Sequence, residues 1–312
     1  MLAMLVVGLT ACSSEKETTD EPTTTITDDP YAVIAAPAYA DDAKKLSLQT
    51  PIVFETGSEQ ITFDEIELCE SSDYVIRATI LPLSVAKQKA TRVDSDADFR
   101  PVTDYFTGSF TRLSANSYKL NELDATMQCT PSAAGESYDV SYTSSVGNFE
   151  SVAQLKKGAT SSARLTNLCR TWDITNCHVG MTVTGKDIED ATFTGKLNLG
   201  LLSSHIRKNV NVDYYYDSTW MIDEVIITKA GSLYFIFDNG STFVGTWSWT
   251  DETTGRFRLA WDKTSDVQLP LFDGECYALF PDAKSCTLGF NKQITTNDNK
   301  PCEVKLRLTM KP

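Results

Sequence analysis

Few side chains in this sequence fall into spacings that could do chemistry. Ser84-Val85-Ala86-Lys87 has the S-x-x-K spacing of a serine acyl-enzyme, where the lysine takes the proton from the hydroxyl. Ser114-Ala115-Asn116 and Lys263-Thr264-Ser265 faintly echo the other motifs of that chemistry. The helix-rich domain such a site requires is missing, and Lys263 falls in a different part of the chain, so acyl transfer is not expected. His178 and His205 are the two histidines, and neither belongs to an HExxH or Cys/His cluster. Asp94, Asp96 and Asp98 could place three oxygens around calcium, but Phe99 stands where the loop glycine belongs and Tyr105 where the bidentate glutamate belongs. They read as a solvated acidic loop. The pairs Asp64-Glu65 and Asp223-Glu224 could do acid–base work, but a strand start facing solvent is the plainer reading. No catalytic residue, metal ligand or cofactor motif is assigned, and the expectation is a non-enzyme.

Eight cysteines are present, with no CxxC spacing, so a zinc ribbon is not expected. Cys12 stands apart from Cys69, Cys129, Cys169, Cys177, Cys276, Cys286 and Cys302. Those others lie in apolar or alternating segments and read first as small buried core residues. A disulfide such as Cys169–Cys177 or Cys276–Cys286 stays open as an alternative in an oxidising compartment. All five tryptophans, Trp172, Trp220, Trp247, Trp249 and Trp261, lie in the second half. They could line a cavity, offer a platform to sugar rings, or form an aromatic core.

The elements that must position these groups are strands. Beyond Leu46, short apolar and aromatic runs alternate with Gly, Asn, Asp, Ser and Pro, the pattern of antiparallel β structure. Two segments read as helical: 152–157 leading toward a helix near 165–170, and 197–210, whose apolar residues recur close to a 3.6 period. An internal repeat organises the rest. Phe63-Asp64-Glu65-Ile66-Glu67-Leu68 aligns with Ile222-Asp223-Glu224-Val225-Ile226-Ile227, and the following strands match Tyr74 to Tyr234 and Ile76 to Ile236. Phe106-Thr107-Gly108-Ser109-Phe110 then aligns with Phe243-Val244-Gly245-Thr246-Trp247, and Tyr118-Lys119-Leu120 with Phe257-Arg258-Leu259. The first copy carries an insertion over residues 81–104.

Strand alternation puts Phe243, Gly245, Trp247 and Trp249 on one face, and Phe257, Leu259 and Trp261 on one face of the next strand. An aromatic inner face and a polar outer face suit a meander curled into a barrel. The fold expected is all-β with minor α content: two antiparallel meander or barrel-like domains. Phe243, Trp247, Trp249, Phe257 and Trp261 are its candidate core or ligand-facing aromatics.

The run Leu168-Cys169-Arg170-Thr171-Trp172, together with the meander and Phe243-Val244-Gly245-Thr246-Trp247, resembles the lipocalin-like domains of Bacteroidetes lipoproteins. The resemblance implies that Trp172 closes one end of the second barrel, although Arg170 stands where a true lipocalin has glycine. The N-terminus resembles a bacterial lipoprotein signal. An apolar run from Met1 to Gly8 leads to Leu9-Thr10-Ala11-Cys12, whose small residues fit a signal peptidase and whose thiol would receive the lipid. No Lys or Arg precedes the run. The Thr-, Asp- and Pro-rich stretch to Pro30 cannot bury enough apolar area to order itself. Its acidic start resembles surface-export signals, and Ser13 after the cysteine resembles outer-membrane sorting.

The expected organisation is a signal peptide over 1–11, a lipidated tether over 12–45, a β domain over 46–155 and a lipocalin-like domain over 160–312. A net charge of −14 disfavours nucleic acid. The expected partners are a membrane, through the N-terminal lipid, and an unidentified small molecule, glycan or protein. The functional expectation is a non-catalytic outer-membrane lipoprotein, holding a small apolar or amphipathic ligand in the second domain. The alternative is a structural or surface-interaction lipoprotein whose barrels are filled.

Overall fold

The computed structural model describes residues 35–84, 86, 101–160, 162–212, 220–262, 269–282 and 284–312. Cys12, the aspartates at 94, 96 and 98, and the 263–265 motif lie outside them, as do Val85 and Lys87.

Two closed antiparallel barrels follow one another in the chain. The first comprises β1 (Lys44–Thr56), β2 (Glu59–Leu68), β3 (Asp73–Pro82), β4 (Val102–Ser114), β5 (Ser117–Leu120), β6 (Ala125–Pro131), β7 (Ser137–Ser144) and β8 (Gly147–Lys156). Each strand pairs with its sequence neighbour, and β8 returns to β1. A short helix, α1 (Ala163–Leu168), leads into the second barrel. Ser162 caps it by accepting from the Leu165 N–H at 3.0 Å.

The second ring runs through β9 (Thr171–Val183), β12 (Met221–Ile227), β13 (Ser232–Phe237), β14 (Thr242–Asp251), β15 (Arg256–Trp261), β16 (Gly274–Asp282), β17 (Ser285–Thr295) and β18 (Pro301–Lys311). It closes twice on β9, along β18 and over a short stretch of β12. Between β9 and β12 the chain inserts β10 (Lys186–Thr194), β11 (Leu197–Asn198) and α2 (Leu199–Asn209). β10 lies along the edge of β9 that β12 leaves free.

The repeat extends around both rings. Ile66 pairs with Ile76, as Val225 pairs with Phe235. Tyr74 faces Gly108, as Leu233 faces Gly245. Phe110 faces Leu120, as Trp247 faces Leu259. Met127 faces Tyr142, as Cys276 faces Phe290, and those two partners in turn face Phe149 and Leu306. Even the irregularity repeats, since the register shifts between Phe63 and Glu65 and again between Ile222 and Glu224. Asp64 and Asp223 are therefore bulge residues, which release one position from the ladder and bend the strand.

Several expectations change. Register makes Leu233, not Tyr234, the counterpart of Tyr74, and Phe235, not Ile236, the counterpart of Ile76. A slip of one residue reverses the face of every side chain. Tyr74 is indeed in the first core, whereas Tyr234 points out of the second. Residues 152–157 belong mainly to β8 and are not helical, because Ala153 alternates inward between the exposed Val152 and Gln154. In the 197–210 segment, Leu197 is on a strand and Leu201 is exposed; the buried stripe of α2 is Leu199, Leu202 and Ile206. The first barrel also begins earlier than residue 46. Tyr39 packs edge-on to Phe110 at 5.0 Å, Asp42 is buried against Tyr118, and β1 starts at Lys44, so the end of the expected tether packs onto and enters the barrel.

Candidate functional site

The five aromatics singled out in the second barrel pack mainly on one another and on its core. Trp247 meets Trp249 at 5.2 Å and Phe257 at 5.8 Å, both edge-to-face. Phe243 meets Phe237 at 5.1 Å, and Trp261 meets Phe235 at 5.0 Å. The Trp247 indole N–H donates to the carbonyls of Thr228 and Ser232, which ties β14 to the β12–β13 turn. The Trp261 N–H donates to the Phe272 carbonyl at 3.1 Å. Phe272 belongs to a 3-10 turn (Pro270–Phe272) whose Leu271 and Phe272 side chains enter the core. Trp249 and Trp261 are only partly buried, while Phe243, Trp247 and Phe257 are buried.

Gly245 makes this packing sterically feasible. A Cβ there would stand 2.7 Å from Leu259 Cδ1 and 3.1 Å from the Trp261 ring. Trp172 is fully buried, donates its N–H to the Leu168 carbonyl at 2.9 Å, and carries the Arg170 guanidinium 5.3 Å above its ring. Arg170 also holds α1, donating to the carbonyls of Thr166 and Asn167.

The histidines do not meet. Both flank β10, where His178 contacts Thr192 and Asp190, and His205 packs edge-on to Phe193. Thr192 and Phe193 point to opposite faces of the strand. The Asp-Glu pairs are divided by their bulges. Asp64 accepts from Thr79, while Glu65 pairs with Lys45; Asp223 pairs with Lys196. All seven described cysteines are buried and unbridged, so neither disulfide alternative is present. Burial pushes the Cys129 and Cys177 thiols up to about 12, and it also raises those of Cys69 and Cys169 well above the ordinary value. Thiolate chemistry is correspondingly suppressed.

What sequence reasoning missed is the seam between the barrels. The outer faces of β2–β3 and β12–β13–β14 form an apolar patch from Cys69, Val75, Ile226 and Tyr234, with Ile236 and Val244 against it. Val244 shares the outer face of β14 with Thr242, Thr246 and Ser248, and the seam accounts for this one apolar residue among them. Beside the patch lies a buried polar network. Lys45 of the first barrel contacts Glu65 at 2.7 Å and Glu67 at 3.2 Å, and donates to Ser232 of the second barrel at 3.0 Å. Glu67 accepts from the Ser232 and Tyr234 hydroxyls. Burial alone would lower the Lys45 pKa, but the Glu67 and Glu65 carboxylates outweigh it and raise the value.

Glu70 extends the seam. One of its oxygens accepts from the Lys229 N–H at 2.9 Å, and the other is buried with no hydrogen-bond partner among the described residues. Burial, reinforced by Glu67, raises its pKa to about 7 against the opposing pull of the Lys229 N–H. On the far side, the Thr171 N–H donates to the Ser71 hydroxyl at 3.0 Å and the Thr171 hydroxyl donates to Asp73, so the β2–β3 turn of the first barrel grips the first strand of the second. A crevice of about 220 Å³ runs along the seam between Lys45, Glu67, Glu70, Gly158 and Lys229. A second, open groove of about 490 Å³ lies on the outer wall of the first barrel across β6, β7 and β8.

No protein-family model matches the chain, and no curated protein sequence matches it. Among solved structures, a protein of unknown function from the DUF3598 family of Nostoc punctiforme aligns over 91% of this chain and 99% of its own length. Its identity to this chain is 7% and the TM-score is 0.21. A likeness that weak bears on neither fold nor function.

Proposed function

We propose that this chain is a non-catalytic, lipid-anchored protein of the bacterial outer membrane, and that it acts through the outer surface of two filled barrels. One observation carries the reading: the aromatics that would line a ligand cavity are engaged with each other and with the core, down to the hydrogen bonds of the Trp247 and Trp261 indoles. A barrel of eight strands is just wide enough for side chains to fill. The reading of an apolar ligand held against Trp247, Trp249 and Trp261 has correspondingly less support. The lipid anchor rests on Leu9-Thr10-Ala11-Cys12 and the polar stretch that follows.

Working surfaces that face outward suit a tethered body which meets protein or glycan outside the membrane. The test titrates the purified full chain with an apolar fluorescent probe while following tryptophan emission, which reports the second barrel alone. No saturable quenching is expected. Stoichiometric quenching that is lost in Trp261→Ala would overturn the filled-barrel reading. Replacing Cys12 by Ala tests the anchor independently, because the protein should move from the membrane to the soluble fraction.

A further inference from the structure

The two barrels close differently, and the difference exposes a strand edge. In the second barrel β18 pairs with β9 from Cys302–Val183 to Lys311–Asp173. In the first, β8 pairs with β1 only from Lys45–Lys156 to Leu48–Ala153. Beyond Leu48 the strand leaves β8. Pro51 has no N–H to give a ladder, and the β1–β2 register jumps between Ser47 and Ile52. Ser151 donates to the Thr50 carbonyl at 2.5 Å across the base of the split. From Gly147 to Val152, β8 is laddered to β7 on one side and, among the described residues, to no strand on the other.

Such an edge presents aligned backbone donors and acceptors, which a further strand can satisfy. The second barrel already does this for itself, since β10 completes the edge of β9 that β12 vacates. Side chains beside the first barrel's edge suit a partner. Val152 and Val53 stand on its two lips at 46% and 42% exposure, so apolar area faces outward on both sides of the split. The open groove alongside carries Asp139 and Glu150 on the same outer face as Val152.

We propose that the free β8 edge of the first barrel is a docking site for an extended segment of a partner protein, which adds as a further strand. Main-chain hydrogen bonds along Gly147–Val152 hold the segment, and alternate apolar and basic side chains meet Val152 and the Asp139–Glu150 pair. The proposal rests on the reading that the outer surface is the working one, but it concerns the first barrel. A failed apolar-probe titration would therefore not decide it.

The test uses the full chain and a short fluorescent peptide alternating valine with lysine and threonine, read by anisotropy and by amide hydrogen exchange. Saturable binding is expected, with slowed exchange of the Gly147–Val152 amides and weakening at high salt. A peptide N-methylated on its pairing edge should not bind. The double variant Asp139→Lys with Glu150→Lys changes only exposed groups, and should weaken binding at least about tenfold, because it reverses the charge of Glu150 beside the added strand and of Asp139 one strand behind it. Equal binding by the N-methylated peptide would overturn strand addition and leave charge alone. Absent binding of the parent peptide would overturn the site. So would exchange at 147–152 that is already as slow as in β7 without peptide, because the edge would then be occupied by other means.

Discussion

Val75 and Tyr234 occupy equivalent positions in the two barrels, and both lie in the single apolar patch that joins them. Val75 pairs with Glu67 and Thr107, and Tyr234 with Ile226 and Val244. Each copy of the repeat therefore turns the same outer face toward the other. Within that shared geometry the chemistry has diverged. Glu67 in the first barrel stands where the second has Ile226, and its carboxylate is matched by Lys45 and by the Tyr234 hydroxyl.

Removing one side of that match should be costly. Lys45→Met leaves Glu67 buried without its cation, and breaking a buried pair costs about 3–5 kcal/mol. Calorimetry of the full chain should show the barrels melting separately at a lowered first transition. Adding Glu67→Leu to Lys45→Met should recover much of the loss, since replacing a whole buried pair by apolar groups is often neutral. A Lys45→Met protein that melts like the parent would show that the network does not hold the seam.

Glu70 should make the seam sensitive to pH. Its folded pKa of about 7 lies above its ordinary value of 4.5, so the folded protein holds the proton while the unfolded chain has lost it. Stability from this group is fully present below 4.5, falls as pH rises toward 7, and is gone above it. The fall amounts to about 3 kcal/mol, at 1.36 kcal/mol per pH unit. Asp73 and Glu224, both also raised by burial, act in the same direction. Denaturant midpoints measured from pH 4.5 to 8 should therefore decline more steeply for the parent than for Glu70→Gln. Parallel curves would contradict the assignment.

Gly245→Ala should destabilise the second barrel. The new methyl would meet the buried Leu259 side chain and the Trp261 ring, and overpacking of that kind costs about 1–3 kcal/mol. Gly57→Ala is a useful contrast, because nothing lies within 4 Å of its Cβ and the cost there comes from a φ of +57° alone. If Gly245→Ala leaves the tryptophan-detected melt unchanged, the aromatic layer is looser than its contacts imply.

The repeat was legible because strand alternation and the F-x-G-x-aromatic run survive in both copies, and their spacing counts residues between bulges. From Leu68 to Tyr74 and from Ile227 to Leu233 the count is the same, which sets the register. Matching the tyrosines by type instead shifts it by one and turns Tyr234 inward. The seam was not legible. Lys45, Glu67 and Ser232 lie far apart in the chain, and a lysine or glutamate on an alternating strand reads as solvated until a second wall covers it. The strand β6 is hard to read from the sequence, because Met127 and Cys129 alternate with polar residues too briefly to stand out. The start of the first barrel was hidden because Asp42 and Lys45 give its opening residues the composition of the tether.

Trp247→Ala tests the filled barrel most directly. Its ring packs edge-to-face on both Trp249 and Phe257, and its N–H is bonded to two carbonyls. In denaturant unfolding of the full chain, followed by emission of the remaining tryptophans, the substitution should cost about 3–5 kcal/mol, the range for truncating a large buried aromatic. A change below about 0.5 kcal/mol, the range of ordinary surface positions, would contradict it and turn the strand inside out.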